Sequence, residues 1–279
     1  MSRSYPFKNP SKADAISDYQ NLVEFDESSI GHSRVGILAC DYIFEKERSK
    51  VSYMGRKSKF EAWKNTDHRR KMLNYAMKWY NKAESELTKA NIRAALDFNY
   101  GSVANFRPAV AKYIYRRFKA KCVLDPSAGW GNRMIAAMSM DIDYIGVDSN
   151  KKLRSGYKKM YKTFKSNSNI EIITAKSQDV NYNKYSYDLI FTSPPYFDIE
   201  RYDGMGYVDE ETFLDDYFIP TFSKAFHSLK SGGHLAINCP SEMINHLNFL
   251  GKFKKIKMPI ANRNGGGYAA HEWIYWLKK

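Results

Sequence analysis

From Lys121 onward, short apolar runs alternate with amphipathic stretches. The runs are CVLD (122–125), DYIGVD (143–148), IEIITA (170–175), YDLIFTS (187–193), GHLAINC (233–239), a stretch around 253–260 and EWIYWL (272–277). Each is short, rich in β-branched and aromatic residues and bounded by turn residues, so each predicts a buried strand. Between them, 132–140, 151–165, 209–229 and a short piece near 241–250 read as helices. Strands separated by helices need right-handed crossovers, which gives an α/β fold. The expected architecture is a seven-stranded, mostly parallel, doubly wound sheet of Rossmann-like type. Its last strand follows the Gly-rich turn Asn264 to Gly267 and is expected to join antiparallel.

The first part of the chain has a different pattern. Residues 1 to about 30 show little periodicity and predict an extended or loosely packed arm. From Asn65 to Phe98, Met72, Tyr75, Met77, Tyr80, Ala83 and Leu87 recur at helical spacing, which predicts one or two helices. Pro108 to Phe118 reads as a further helix with Pro in its first turn. The division is therefore a basic, mainly helical region over 1–105 and an α/β domain over 106–279.

Charge gives the two parts different tasks. The 279-residue chain carries 44 Lys and Arg against 30 Asp and Glu, a net charge of +14. Up to residue 120 there are 23 basic and 13 acidic residues, against 21 and 17 beyond it. The excess gathers in 49–72 and 107–121, where Arg56, Lys57, Lys59, Arg69 and Arg70 are candidate phosphate contacts and Tyr53, Phe60 and Trp63 either stack on bases or pack inward. A solvated basic face is the alternative. With 43% hydrophobic and 15% aromatic residues the chain is not a disordered polymer. No run of about 18 apolar residues predicts a transmembrane helix. The first residues lack the apolar core of a signal peptide, and the three cysteines are scattered. An intracellular, cytoplasmic or nucleoid-associated protein is expected, with no disulfide framework, no metal and no membrane partner.

The candidate chemistry lies where the predicted strands end. Asp125 closes the first strand and is followed by Gly129 and Gly131, whose lack of Cβ lets backbone approach a ligand. Asp148 closes the second strand, about 20 residues after the glycines, where nucleotide-binding βαβ units place a carboxylate that accepts from ribose hydroxyls. Gln178 and Asp179 end the third and offer an amide and a carboxylate to a base edge. The fourth ends in Ser193-Pro194-Pro195-Tyr196-Phe197. Two prolines stiffen this loop and fix its carbonyls. A carbonyl and the Ser193 hydroxyl can accept from an exocyclic amine and stabilise the positive charge it develops on attack, while Tyr196 offers a flat face to a base. The loop holds no Cys, which disfavours the covalent route to ring-carbon methylation.

In this order, DPSAGWG, YIGVD, SQD and SPPY resemble the S-adenosylmethionine-dependent amino-methyltransferases that act on N6 of adenine or N4 of cytosine, chiefly in DNA. The resemblance extends from about Phe106 to the C-terminus. It implies that Asp125, Ser127, Gly129 and Gly131 line the methionine and ribose of S-adenosyl-L-methionine, that Asp148 binds the ribose hydroxyls and that Asp179 approaches the adenine. Ser193 to Tyr196 would be catalytic, with Phe197 beside the base, and Arg107 and Pro108 fall in the family's cofactor-flanking segment. Three departures stand out. Ser127 replaces the family's bulky aromatic, with Trp130 between the glycines; the cofactor turn precedes the catalytic loop; and no long insertion provides a target-recognition domain. The implied activity is methylation of a nucleobase amino group in DNA, the two bases being equally favoured. RNA, a protein glutamine amide and a catalytically silent nucleic-acid-binding subunit are the alternatives.

Overall fold

The computed structural model describes residues 4–26, 30, 33–101, 103, 105–195, 200–201, 209–258 and 273–279. Its centre is a seven-stranded sheet. The strands are β1 (Cys122–Asp125), β2 (Asp143–Val147), β3 (Ile170–Ile173), β4 (Leu189–Thr192), β5 (His234–Asn238), β6 (Lys254–Lys257) and β7 (Trp273–Lys278), in the order β3-β2-β1-β4-β5-β7-β6. The first five are parallel, with Cys122 opposite Asp143, Val123 opposite Leu189 and Leu189 opposite His234. β7 runs antiparallel to both neighbours, Asn238 facing Ile274 and Lys254 facing Trp276. The predicted sheet and its antiparallel last strand are therefore present; the Asn264–Gly267 turn lies outside the described residues.

The strand sequences explain why both faces are covered. Successive side chains on a strand point to opposite faces. Val123, Tyr144, Leu189 and Ala236 enter one core cluster, and Leu124, Ile145, Ile190 and Leu235 the other. The first core is completed by α6 (Pro108–Arg117), α7 (Asn132–Met138) and α8 (Arg154–Thr163). The second is completed by one helical run: a turn at Glu210–Phe213, a π-helical segment at Leu214–Phe218 and a helix at Ile219–Ser228.

The N-terminal part is more ordered and more divided than the sequence pattern predicts. Lys12–Glu24 forms α1, started by a capping box between Ser11 and Asp14. Its Ala15, Tyr19 and Leu22 are buried in the first core together with Ala39, Cys40 and Phe44 of α2 (Ile37–Arg48). The expected loose arm is thus a structural part of the α/β body. A stripe of only three apolar positions made it easy to miss. Lys112 of α6 ties this arm down, donating from its buried ammonium to the carbonyls of Leu22, Val23 and Phe25. By contrast, α3 (Lys59–Lys64), α4 (Thr66–Tyr80) and α5 (Lys89–Tyr100) pack on a third core of Trp63, Met72, Leu73, Ala76, Ile92 and Leu96. The third core thus takes Tyr5 and residues between Phe60 and Tyr100, while the first core takes Ala15 to Phe44 and resumes at Val103.

A two-residue ladder links the parts. Ser52 pairs with Arg201 and Tyr53 with Glu200, antiparallel. Backbone of the basic N-terminal region is thereby joined to the chain five residues beyond Pro195.

Candidate active site

The order of the parallel strands reverses between β1 and β4, and in open α/β sheets ligands bind beyond the carboxyl ends at such a switch point. The turn after β1 and the loop after β4 both emerge there, so the structure brings the glycine segment and Ser193-Pro194-Pro195 to neighbouring strand ends.

Asp125, expected to line a pocket, is instead fully buried. Its Oδ1 accepts from the Ser127 amide at 3.1 Å and Arg133 Nη2 at 3.3 Å, and its Oδ2 from Arg133 Nε at 2.7 Å and the Tyr144 hydroxyl at 2.5 Å. Four donors fill the roughly four acceptor sites of a carboxylate, so Asp125 holds the turn. Arg133 also donates to the Ser127 carbonyl and lies 5.3 Å from the centre of the Phe106 ring. Burial works against its charge, but Asp125 outweighs burial and pushes the guanidinium pKa up.

The two glycines differ. Gly129 has φ +56°, and among the described residues a Cβ built there would meet only the Ser127 carbonyl at 3.7 Å. None of the described residues crowds its Cα. Gly131 has φ +70°, but a Cβ there would meet Met160 at 2.9 Å and Phe44 at 3.2 Å. Its left-handed backbone calls for glycine at 131, and the packing of α2 and α8 adds to that requirement. Trp130 points into the core with its ring 6.3 Å from Phe44.

Asp148 follows β2 and is half-buried beside the turn. Its Oδ2 accepts from the Gly129 amide at 2.9 Å and lies 3.2 Å from the Tyr157 hydroxyl, and its Oδ1 accepts from the Asn150 amide at 2.8 Å. Burial pushes its carboxyl up to about 6, opposed by these hydrogen bonds. Tyr157 also donates to the Gly129 carbonyl at 2.5 Å, which clasps the turn to the second strand end. Ser127 shares a hydrogen bond of 2.7 Å with the hydroxyl of Tyr217, on the π-helical segment. Ser177 donates to the Pro126 carbonyl, which fixes the short helical turn Ser177–Asp179 against the first strand end, with Asp179 exposed.

At the fourth strand end the Ser193 hydroxyl donates to Asn238 Oδ1 at 3.3 Å, and Asn238 in turn donates to the Trp273 carbonyl at 3.0 Å. Asn238 is buried at the end of β5 and fixes the hydroxyl hydrogen toward itself, so the serine oxygen directs acceptor capacity elsewhere. Tyr196 and Phe197 lie outside the described residues. Pro108 is buried at the start of α6, its ring where a side chain on Gly36 would have to go. That is a packing role. Arg107 precedes it as the N-cap residue, half-buried.

The five basic candidates are dispersed over the third core. Arg56 donates to the Asn99 carbonyl, Arg69 to the Trp63 carbonyl, Lys59 pairs with Asp97 at 2.5 Å and Arg70 with Asp67 at 3.0 Å. Lys57 is exposed. Trp63 is buried and Phe60 packs against it in the same core, so neither is a free stacking surface.

These strand ends have a counterpart among known families. Residues 187–279 match the DNA methylase family. The family model is one for N6-adenine and N4-cytosine methylases, and the segment it matches contains β4, Ser193-Pro-Pro-Tyr196, β5 and β7, in agreement with the resemblance read from that loop. The glycine turn and Asp148 precede the matched region. No curated protein matches the chain. Among solved structures, TrmN from Thermus thermophilus is 16% identical, with a TM-score of 0.44, over 62% of this chain and 49% of that one. NSun6 from Pyrococcus horikoshii is 14% identical, with a TM-score of 0.47, over 71% and 56%. The chain thus spans about half the length of these two proteins. The 16S rRNA N2 G1207 methyltransferase RsmC of T. thermophilus is 16% identical, with a TM-score of 0.43, over 65% and 45%.

Sequence reading missed Arg133, Tyr144, Tyr157, Tyr217 and Asn238. All five act on a named site residue through hydrogen bonds from another element, Arg133 through three and Tyr157 through two.

Proposed function

We propose that the protein is an S-adenosylmethionine-dependent methyltransferase acting on the exocyclic amino group of a nucleobase, adenine N6 or cytosine N4, in DNA. The observation that carries this reading is the adjacency of Ser193-Pro194-Pro195 at the end of β4 to the glycine turn at the end of β1, within a segment of DNA methylase type.

The residues present fit the cofactor. None of the described residues crowds the Cα of Gly129, and the half-buried Asp148 stands at the neighbouring strand end, where a carboxylate can accept from a ribose diol. Gly129, Ser127 and Asp148 would hold the cofactor, with Asp179 beside its adenine and Arg107 near its flank. When bound, S-adenosylmethionine supplies a methyl group already activated by a sulfonium. The chain's own work is positioning. The target base is turned out of its strand and stacks on Tyr196, with Phe197 beside it. The Ser193 oxygen and the Pro194 carbonyl accept from the two amine hydrogens, which draws the nitrogen lone pair out of ring conjugation and aims it at the methyl. Asn238 keeps the serine hydroxyl in the accepting orientation.

The backbone ladder from Ser52–Tyr53 to Glu200–Arg201 supports a role for the basic N-terminal region in gripping the target, since it meets the chain just past the catalytic loop. Ser193→Ala and Tyr196→Ala should each cripple transfer while S-adenosylmethionine binding, read by calorimetry, survives. Wild-type turnover in either variant removes this loop from the mechanism.

A further inference from the structure

Three aromatic rings form an exposed stack on the helical part of the molecule. Trp79 of α4 is 67% exposed and Phe98 of α5 69% exposed, both far outside the range of a core aromatic. Tyr75 lies 6.0 Å from Trp79 and 5.3 Å from Phe98, and Trp79 lies 6.3 Å from Phe98, with interplanar angles of 13°, 14° and 27°. The rings are therefore near-parallel, unlike the tilted and edge-on contacts of Tyr5 with Phe7, Phe60 and Trp63 in the core below.

On α4, the charged residues within one turn of Tyr75 and just beyond Trp79 are lysines. Lys71 precedes Tyr75 by one helical turn, Lys78 follows it by three residues, and Lys82 comes just past the C-cap Asn81. All three are exposed, and none has an ion-pair partner among the described residues. The nearest acid on α5, Asp97, is paired with Lys59, and Glu84 and Glu86 occupy the connecting turn, where Glu86 accepts from the Ala83 amide. Flat apolar faces interleaved with ammonium groups match unpaired bases on a phosphate backbone: stacking is tolerant of base identity, and the lysines meet the phosphates.

We propose that Tyr75, Trp79 and Phe98, with Lys71 and Lys78, form a binding platform for single-stranded nucleic acid, separate from the base pocket at the strand ends. The inference rests on the nucleic-acid reading of the active site. The platform holds unpaired strand next to the target and explains how a chain without a long recognition insertion gains affinity.

The test compares wild type with a Trp79→Leu/Phe98→Leu double variant and a Lys71→Ala/Lys78→Ala variant, using fluorescence anisotropy with a labelled 15-nucleotide single strand and its duplex. Leucine keeps apolar area but removes the π face. The expected result is a loss of roughly 10-fold or more in single-strand affinity for the leucine variant, a smaller loss for the duplex, and a reduced salt slope for the lysine variant. Melting temperature and S-adenosylmethionine binding should stay at wild-type values. Single-strand affinity within twofold of wild type in the leucine variant overturns the platform. So does a wild-type dimer in sedimentation that this variant dissolves, which would make the patch a self-association surface. If the wild type methylates and binds nucleic acid but the variants do not differ from it, the platform alone fails. If the wild type binds neither probe at low salt, it falls together with the functional reading.

Discussion

Ser193 donates its hydroxyl hydrogen to Asn238 Oδ1 at 3.3 Å, across the ends of two adjacent parallel strands. The orientation of a serine oxygen meant to accept from an amine thus depends on a residue 45 positions away. Asn238→Leu should lower the methyl-transfer rate about 10- to 100-fold, the scale of a misplaced catalytic group, with S-adenosylmethionine affinity unchanged. Asn238→Gln should recover little, because its longer side chain moves the acceptor. Single-turnover kinetics beside a cofactor titration separates the two readouts. Equal loss in both would make Asn238 a general support of the sheet.

The Arg133–Asp125 pair is fully enclosed, and breaking such a pair leaves one charge buried without compensation. Arg133→Met should cost about 3–5 kcal/mol in urea unfolding, and weaken cofactor binding as the turn from Pro126 to Gly131 loosens. A loss below about 1 kcal/mol would mean that the turn holds its shape without the pair.

If Asp148 holds the ribose as proposed, the cofactor site has a pH dependence. Ribose hydroxyls would donate to the ionised carboxylate, and burial pushes its pKa up to about 6. The binding-competent form is therefore lost as pH falls through 6, and affinity should drop about tenfold per unit below that value and stay flat above pH 7. Asp148→Asn should bind weakly at every pH. Calorimetric titrations from pH 5 to 8 read this directly. A flat wild-type profile would remove Asp148 from ribose binding.

Tyr157 joins the Gly129 carbonyl to the Asp148 carboxylate. Tyr157→Phe removes one buried hydroxyl and should cost about 1 kcal/mol of stability. It should weaken cofactor binding several-fold and leave the rate at saturating cofactor near wild type. A fall in that rate with unchanged affinity would contradict the clasp.

Of the five basic candidates Arg56, Lys57 and Arg70 are exposed; Arg56 is held to the Asn99 carbonyl, which leaves Lys57 and Arg70, the latter in a surface pair that contributes little. Neutralising both should reduce the salt slope of DNA binding by about 2. An unchanged slope would return them to the solvated surface.

The α/β body was legible because its strands alternate between two cores: the residue-by-residue switch from Val123 to Leu124 and from Leu189 to Ile190 is written in short apolar runs. The first helix was not, because Ala15, Tyr19 and Leu22 make a weak stripe stabilised by packing on distant elements. At the site, residue types at strand ends pointed alike to Asp125, Gly129, Gly131, Asp148 and Ser193, and their surroundings could not be read from the sequence. Only three-dimensional packing distinguishes a carboxylate filled by Arg133 and Tyr144, or a glycine pressed by Met160, from one that the described residues leave uncrowded. The exposed ring stack likewise hid in the sequence: Tyr75 had the spacing of a core residue.

The most direct test is the identity of the methylated product. Purified protein with isotope-labelled S-adenosylmethionine and unmethylated DNA, followed by nucleoside digestion and mass spectrometry, should give label in N6-methyladenosine or N4-methylcytosine deoxynucleosides, lost with Ser193→Ala. Label on a ring carbon, label confined to RNA or protein, or no transfer from a protein that binds the cofactor would contradict the account.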